Sequence, residues 1–184
     1  MDETKAFDDA CASNLVSLRE ISAQTVRAVT DLSTTDEQRV FIAPNAVSLA
    51  EALFAPEAWY RAIYFQDQIA GFVMLYDETL RAIPPAEPEL WVWRLMVDSR
   101  FQRRGVGRAA MLRVIEHART KGVAVLQLSY VQAPGNPEPF YRSLGFRRTD
   151  RLQDGELVLE LPLRNIAIEP FRQCGDWIAW RRVS

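Results

Sequence analysis

Histidine, cysteine and long apolar runs are all scarce in this sequence of 184 residues. The chain has one histidine, His117, and two cysteines, Cys11 and Cys174, which lie far apart. A zinc site would lack ligands, and a Ser-His-Asp hydrolase would have only one candidate base, so we expect neither class and no metal. Two distant cysteines also argue against a disulfide framework and are usual for a reducing compartment.

No apolar segment approaches the ~18 uncharged residues that a membrane-spanning helix requires. Even the apolar residues 71–76 are closely bracketed by Asp67 and Asp77. The N-terminus begins with acidic and polar residues, unlike the basic-then-apolar layout of a secretory signal. Because the net charge is −2, the overall charge gives no reason to expect nucleic-acid binding. We therefore expect a cytoplasmic protein with neither a membrane nor a nucleic-acid partner.

The composition that remains, 48% hydrophobic and 25% charged, is that of an ordinary globular protein of about one domain. Apolar periodicity predicts a mixed α/β domain with one layer of sheet and helices packed on it. The predicted strands are residues 15–21, 62–65, 69–76, 91–97, 123–131, 146–152 and 156–161. Helices are predicted from residue 22, at 48–54 with a capping box of Ser48 and Glu51, after residue 107, and at 140–144.

An arginine-rich turn lies between a predicted strand and an amphipathic helix, and reads Gln102-Arg103-Arg104-Gly105-Val106-Gly107. Its glycines have no Cβ to obstruct a phosphate. A helix N-terminus adds partial positive charge worth roughly 0.3–1 kcal/mol for each nearby anionic group. The turn lacks the Gly-Lys-Ser/Thr of a P-loop and the glycine spacing of dinucleotide binders. It therefore predicts a site for a different diphosphate ligand.

Three segments together resemble the GNAT superfamily of N-acetyltransferases: the strand Leu95-Met96-Val97, this turn, and the later Phe140-Tyr141-Arg142-Ser143-Leu144-Gly145-Phe146. The turn matches the family's Gln/Arg-x-x-Gly-x-Gly/Ala signature, and the last segment matches its Tyr-x-x-x-Gly-Phe ending. The hairpin 63–76 and the Pro-Glu-Pro-Phe-Tyr sequence also look like the diamine or polyamine acetyltransferase branch. The resemblance implies a mixed, mostly antiparallel central sheet of about seven strands flanked by about four helices. It ends near residue 163, so we expect a domain 1–163 and a C-terminal extension 164–184.

The resemblance also implies acetyl-coenzyme A as co-substrate. Its pyrophosphate would lie on the amides of the turn, and its pantetheine arm would pair like a strand with Met96 and Val97. In the family the strand that carries these residues separates from its neighbour at this point. The residues expected to contact it are Leu95, Met96, Val97, Gln102, Arg103, Arg104, Gly105, Val106, Gly107, Arg108, Asn136 and Tyr141. For Asn136 a second interpretation stays open, namely a cap for the helix that Pro137 begins.

Acetyl transfer to an amine needs a proton for the departing thiolate, and Tyr141 is expected to supply it. A phenol with a pKa of ~10 stays protonated at neutral pH, and in the family this tyrosine lies beside the thioester sulfur. The family geometry also makes the backbone N–H of Val97 the expected oxyanion contact. No carboxylate lies in the strand before the turn. Glu89 at the strand entrance is therefore the candidate base, with Asp77 and Glu78 as alternatives.

An ammonium acceptor would bind an aromatic wall through cation–π attraction of ~0.5–2 kcal/mol. The residues expected to form that wall are Trp59, Tyr60, Trp91 and Trp93, and the acids expected to assist them are Asp36, Glu37 and Glu51. His117 is expected on the exposed side of its helix, without a catalytic role.

These features predict acetyl transfer to a primary amine of a small molecule, with a diamine or polyamine as the leading acceptor. Acetylation of a protein N-terminus or lysine, and a catalytically idle acyl-coenzyme A sensor, are the alternatives. The apolar residues Phe171, Trp177, Ile178 and Trp180 indicate that the extension docks somewhere. Docking on its own domain and exchange between the subunits of a homodimer both remain open, as does a cloning or frameshift remnant.

Overall fold

The computed structural model describes residues 14–163, which form one seven-stranded sheet with helices on both faces. The strands are β1 Val16–Arg19, β2 Ala58–Phe65, β3 Gln68–Asp77, β4 Leu90–Val97, β5 Val125–Tyr130, β6 Arg147–Gln153 and β7 Glu156–Pro162. Their order across the sheet is β1-β2-β3-β4-β5-β7-β6. Every neighbouring pair is antiparallel except β4 and β5, which are parallel. The expected mixed, mostly antiparallel sheet is confirmed.

Four α-helices in residues 14–163 cover this sheet: α1 Val26–Thr30, α2 Asn45–Ala52, α3 Val106–Thr120 and α4 Glu138–Ser143. α1 and α2 pack on one face, around Phe72 and Met74, while α3 and α4 pack on the other. α3 buries apolar residues at helical spacing, and Met111 and Val114 are completely enclosed. Burial of each contributes roughly 1.5–3 kcal/mol. This packing fixes the N-terminus of α3 beside the end of β4.

β3 and β4 come unusually close at Gly71. A Cβ built on Gly71 would lie 2.4 Å from the carbonyl oxygen of Met96, well inside any real carbon–oxygen contact. Glycine within a strand often marks such an approach of a second backbone. The close approach places the C-terminal half of β4 firmly on β3, which matters because the other edge of β4 is open.

β4 separates from β5 after a single paired position. Trp91 opposite Gln127 is the one registered pair between them in the described chain, whereas β3 and β4 share seven. On the β3 side the register shifts between Met74 and Leu75, so Trp93 has no strand partner opposite it on β3. Beyond Trp91 the free edge of β4 presents backbone groups that a ligand can pair with.

Three element boundaries in the N-terminal half differ from the expected ones. β1 has four residues instead of the seven from 15 to 21. α1 begins at Val26 and not at residue 22, because Ser22 forms a turn, with its carbonyl accepting from the N–H groups of Thr25 and Val26 at 3.0 and 2.8 Å. β2 begins at Ala58, so the two aromatic residues that follow it are strand residues.

The expected capping box of Ser48 and Glu51 is wrong. α2 begins at Asn45, so Ser48 lies inside the helix, completely buried, and its hydroxyl donates to the Pro44 carbonyl at 3.4 Å. The buried Asn45 amide donates to the Val29 carbonyl at 2.9 Å and ties α2 to α1. In the C-terminal half the shift is smaller, since α4 begins at Glu138, two residues before the expected start.

Within residues 14–163 no helix is long and apolar enough to cross a membrane. The same residues contain no group of three His, Cys, Asp or Glu side chains that could hold a metal ion. Cys11, Cys174 and the extension 164–184, together with its expected docking, lie outside the described residues.

Candidate active site

A groove of about 2050 Å³ opens where β4 separates from β5. β4, the turn before α3, α4, and residues 38–44 between α1 and α2 all contribute to its walls. Eleven of the twelve residues expected to contact the cofactor line this groove, and Asn136 is the exception. Glu89, the candidate base, lines it as well. The fold therefore brings together residues that the sequence separates by more than fifty positions.

The turn before α3 has the conformation of an anion cradle. Gly105 has φ +75° and Arg103 has φ +61°, both in the left-handed region. The first helical hydrogen bond of α3 joins the Ala109 N–H to the Gly105 carbonyl at 2.9 Å. The amides of Val106 and Gly107 therefore have no acceptor inside the helix, as is general for a helix N-terminus. These amides and the positive end of the α3 dipole suit a phosphate group.

Gln102 fixes the turn to the end of β4. Its side-chain amide donates to the Val97 carbonyl at 3.0 Å and to Gln38 Oε1 at 2.7 Å. The first bond joins the turn to the strand, and the second joins it to the segment between α1 and α2. The Gln102 side chain therefore positions the backbone of the groove from two sides.

The three arginines of the turn have different environments. Arg103 and Arg104 are exposed, and the Arg104 guanidinium lies 5.8 Å from the Phe101 ring centroid. Arg108 donates to the Ser143 carbonyl at 3.1 Å, at the C-terminal end of α4. Arg103 and Arg104 therefore supply cations at the mouth of the groove, while Arg108 also holds α3 against α4.

The side chains at the end of β4 alternate between the two faces of the sheet, and its backbone forms the open edge. Leu95 and Val97 pack toward the α3 face, while Met96 is 5% exposed on the opposite face, with its Sδ 3.9 Å from the Asn45 amide nitrogen. A ligand strand along this edge would therefore meet mainly backbone groups. A Cβ on Gly107 would lie 3.6 Å from Val97 Cγ2 and from the Phe140 ring, so α3, α4 and β4 meet closely here.

α4 carries Tyr141 and is anchored at both ends. Near its start the Tyr130 hydroxyl donates to the Glu138 carboxylate in a short contact, and at its end Arg108 bonds the Ser143 carbonyl. Because the strand residue Tyr130 holds the first turn of this six-residue helix, the position of α4 follows that of β5. The tyrosine that the helix presents to the groove is therefore held in place by tertiary contacts, since so short a helix is marginal alone.

Tyr141 is 8% exposed, with its ring edge-on to Phe140 and Phe146 at centroid distances of 5.0 and 5.6 Å. Its hydroxyl has no hydrogen-bond partner among residues 14–163. Burial raises the pKa of Tyr141 far above the ordinary value of a phenol. The group is therefore a neutral, protonated donor at the groove wall, as a general acid requires.

Asn136 belongs to the cap of α4 and lies off the groove wall. Its side-chain oxygen accepts from the Glu138 N–H at 3.0 Å, and its amide donates to the Ala133 carbonyl at 3.0 Å. Both side-chain groups are engaged within the loop, so the cap interpretation is confirmed. An Asn136 contact to the cofactor would therefore have to break one of these two hydrogen bonds.

Two of the three candidate bases reach the groove. Glu89 is exposed, and its Oε2 accepts from the Trp91 indole N–H at 3.0 Å. Glu78 receives the Glu89 backbone N–H at 2.9 Å and the Arg81 guanidinium, also at 2.9 Å. The third candidate, Asp77, does not line the groove. Its side chain is completely buried, with Oδ2 3.2 Å from Nζ of Lys121, the residue that follows α3.

Two of the expected aromatic residues do not line the groove. Trp59 points to the α3 face, where its ring stacks on His117 at 4.2 Å, and Tyr60 packs among the residues under α1 and α2. Trp91 and Trp93 do line the groove, and Tyr76, directly opposite Trp91 on β3, joins them. The expected aromatic wall is therefore corrected to Tyr76, Trp91 and Trp93.

His117 is half-buried and not on the exposed side of its helix as expected. Besides the stack on Trp59, its Nε2 is buried with no hydrogen-bond partner in the described chain. Burial, and after it the charge of Lys121, lower the pKa of His117 below its ordinary value. The neutral imidazole therefore belongs to the packing between α3 and β2, away from the groove.

A comparison with protein-family models agrees with this geometry. The model of the GNAT acetyltransferase family matches residues 26–146, about two thirds of the chain. The chain belongs to the GNAT acetyltransferase family. The matched range contains the turn, β4 and the helix that carries Tyr141, so the family match and the groove rest on the same elements.

Solved GNAT structures share the fold at low identity. The ribosomal-protein-S18-alanine N-acetyltransferase from Escherichia coli is 21% identical with a TM-score of 0.58, covering 84% of this chain and 97% of its own. The PaiA N-acetyltransferase from Thermoplasma acidophilum, in complex with coenzyme A, is 15% identical with a TM-score of 0.58, covering 80% and 98%. A GNAT acetyltransferase from Elizabethkingia anophelis with acetyl-CoA bound is 17% identical with a TM-score of 0.57, covering 82% and 99%.

Several groove residues of this GNAT protein could not be found from the motifs. Ser129 on β5 donates to Glu156 Oε2 at 2.6 Å, and Asp154 lies beside them at the tip of the last hairpin. Asp36, Glu37 and Glu51, the acids expected near an amine, do not line the groove. The available signal was Ser129, a polar residue on a mostly apolar strand, since the acids of the hairpin tip read as ordinary turn residues.

Proposed function

We propose that the protein transfers the acetyl group of acetyl-CoA to a primary amine of a small molecule. The observation that carries this proposal is the convergence of the turn amides, the open edge of β4 and the buried Tyr141 on one groove. Acetyl-CoA bound there would supply the acetyl group as a reactive thioester.

The turn fits the pyrophosphate in charge and shape. The amides of Val106 and Gly107 lack helical acceptors, and Arg103 and Arg104 add two cations at the mouth of the groove. Glycine at position 105 adopts the left-handed backbone without strain and, having no Cβ, leaves the amides open to an approaching phosphate. The edge of β4 at Met96 and Val97 then suits the amide groups of the pantetheine arm, because no strand covers it.

Tyr141 is the proposed general acid. As the amine nitrogen attacks the thioester carbonyl, the carbon–sulfur bond breaks and the Tyr141 hydroxyl donates its proton to the departing sulfur. The tyrosine is then reprotonated from solvent. The Val97 N–H is the proposed donor to the carbonyl oxygen, where negative charge develops.

Glu89 is the proposed base. The Trp91 indole N–H holds its carboxylate at the groove edge, at the end of β4 away from Val97, where an exposed acid can accept the amine proton through a chain of waters. Glu78 is the weaker candidate, because its carboxylate is already engaged by the Arg81 guanidinium and by the Glu89 backbone N–H, both at 2.9 Å.

A diamine or polyamine is the acceptor that the sequence favours. The groove offers such a cation Tyr76, Trp91 and Trp93 as aromatic surfaces, with Glu78 and Glu89 nearby. Arg94, on the same wall, argues against an acceptor that carries positive charges alone. The acceptor is therefore proposed only as a primary amine at this point.

Cofactor binding is tested first, by calorimetric titration of coenzyme A into the protein and two variants. Gly105→Asp adds a negative charge where the pyrophosphate is expected, so affinity should fall at least about tenfold. Gly105→Asn is the matched control, because asparagine tolerates the left-handed backbone and is uncharged. Unchanged affinity in the aspartate variant would contradict the proposed site.

Turnover is tested by release of free coenzyme A from acetyl-CoA with diamines, polyamines, aminoglycosides and amino-terminal peptides as acceptors. Release that depends on a small primary amine supports the proposal. Turnover with peptides alone would favour the protein-acetylating alternative. Tight cofactor binding with no turnover on any amine would favour the sensor.

A further inference from the structure

Arg94 is a charged side chain on an otherwise apolar strand, and the proposed reaction does not use it. It lies on β4 three residues before Val97, about 10 Å back along the strand from the turn side. Its side chain is 22% exposed and lines the groove beside Trp91 and Trp93. In the proposed binding mode the phosphates lie at the turn, so this position belongs to the acyl and acceptor end.

The donors of Arg94 are only partly used. One terminal nitrogen donates to the Trp93 carbonyl at 2.9 Å, and the other donates to Glu51 Oε2 at 3.2 Å. Nε is buried and has no acceptor among the described residues. A guanidinium has five N–H groups, so three of them lack an acceptor within residues 14–163.

Glu51 does not account for this arrangement. It reaches Arg94 from α2, is 41% exposed, does not line the groove, and contacts one terminal nitrogen only. A partly exposed ion pair of this kind contributes little to stability, and it leaves the buried Nε unsatisfied. Each terminal nitrogen keeps one N–H without an acceptor in residues 14–163, and a planar carboxylate accepting two parallel N–H bonds is the ligand that these two nitrogens fit best.

The other charges of this wall are acidic. Glu78 and Glu89 line the groove near Tyr76 and Trp91, so a cation is attracted there while an anion is attracted to Arg94. One wall of the groove therefore presents groups of both signs to a single small acceptor.

We propose that Arg94 binds a carboxylate of the acceptor, which is therefore a primary amine that also carries a carboxylate, as a basic amino acid does. This inference rests on the proposed function and narrows its acceptor class. It makes Arg94 a specificity-determining residue, while its contact with Glu51 orients the guanidinium from behind.

Lysine and cadaverine form a matched pair of probes, because they have the same amine-bearing chain and differ by one carboxylate. We would measure kcat/KM for both with acetyl-CoA, and the binding of both by calorimetry with and without coenzyme A. Lysine should be preferred by roughly 10–100-fold, the range of a charge-assisted bond to an otherwise unpaired donor. Equal use of the two amines, or a preference for cadaverine, would overturn the inference.

Three variants separate recognition from stability. Arg94→Gln should remove the preference for lysine over cadaverine, Arg94→Lys should restore part of that preference, and Glu51→Gln should retain it. A purely structural role of Arg94 would instead lower the melting temperature in Arg94→Gln with an unchanged lysine-to-cadaverine ratio, and that result would overturn the inference.

The proposed function can fail separately from this inference. Absence of coenzyme A binding would refute the proposed function, while the calorimetric comparison of lysine and cadaverine on the protein alone would still decide the role of Arg94. Binding of neither amine, with turnover of peptides only, would overturn the inference while leaving the transferase activity in place.

Discussion

Replacing Tyr141 by phenylalanine isolates one oxygen atom in the candidate site. The ring packs edge-on between Phe140 and Phe146 and is 8% exposed, while the hydroxyl has no hydrogen-bond partner among residues 14–163. A phenylalanine side chain keeps the ring contacts in full. The substitution therefore tests the chemistry of the hydroxyl with little change in packing.

The expected effect of Tyr141→Phe on stability is neutral or favourable. The Tyr141 hydroxyl lies at the groove wall and makes no hydrogen bond within residues 14–163, so its removal breaks no protein contact. In a chain of this size 1 kcal/mol corresponds to about 2–4 °C in melting temperature. Thermal unfolding should therefore show a melting temperature equal to or a few degrees above that of the unchanged protein.

The expected effect on turnover is large and in the opposite direction. A positioned general acid contributes about 10²–10⁴-fold, so kcat for the acetyl transfer should fall within that range while coenzyme A affinity is kept. Single-turnover release of coenzyme A, in which chemistry limits the rate, is the appropriate assay. A folded variant with an unchanged single-turnover rate would refute the assignment of Tyr141.

The raised pKa of Tyr141 determines how activity and stability should depend on pH. Because burial raises the pKa of Tyr141, its hydroxyl stays protonated beyond the ~10 at which a free phenol ionises. Ionisation of Tyr141 should therefore cause no alkaline loss of activity below about pH 10. The unfolded chain loses this proton first, so the corresponding contribution to stability is present below about pH 10 and is lost as pH rises above it.

Two further predictions concern the scaffold. Gly71→Ala would place a Cβ 2.4 Å from the Met96 carbonyl oxygen, so we expect the free energy of unfolding to fall by about 1–3 kcal/mol. Urea unfolding measures this change, and an unchanged midpoint would contradict the close approach. His117 is the only histidine, so its single imidazole NMR signal should titrate below pH ~6.5, because burial lowers its pKa. The stability that the neutral His117 contributes is present above pH ~6.5 and is lost as pH falls below it, so the stability of His117→Gln should depend less on pH in that range. An NMR titration midpoint of His117 at or above ~6.5 would contradict this prediction.

The cofactor end of the groove was predictable from the sequence because it depends on local geometry. A glycine turn between a strand and an amphipathic helix fixes its own amides, and eleven of the twelve expected residues do line the groove. Tyr141 was expected from the resemblance of the segment 140–146 to the family's Tyr-x-x-x-Gly-Phe ending, and the structure places this residue on the groove wall. For Asn136 the sequence left two roles open, a helix cap and a ligand contact, because both would use the same side chain. The structure shows this side chain accepting from the Glu138 N–H.

The acceptor end was less predictable because it depends on strand register. Trp59 and Tyr60 are adjacent in β2 and point to opposite faces, so an aromatic wall built from both was impossible once the strand extended over them. The irregularity opposite Trp93 changes which residues of β4 share a face. No local pattern reveals such a shift. Nor does one reveal that Asp77, at the end of β3, pairs with Lys121, just after α3, instead of facing solvent.

The single pair between Trp91 and Gln127 divides the sheet into two blocks, β1 to β4 and β5 to β7, that share one rung of the ladder. α3 runs from one block to the other as the covalent crossover. A ligand whose amides pair with the edge of β4 would act as a partial eighth strand in the gap. Hydrogen-exchange protection along residues 92–97 should then rise on coenzyme A binding, and the two blocks should unfold more cooperatively with the ligand than without it.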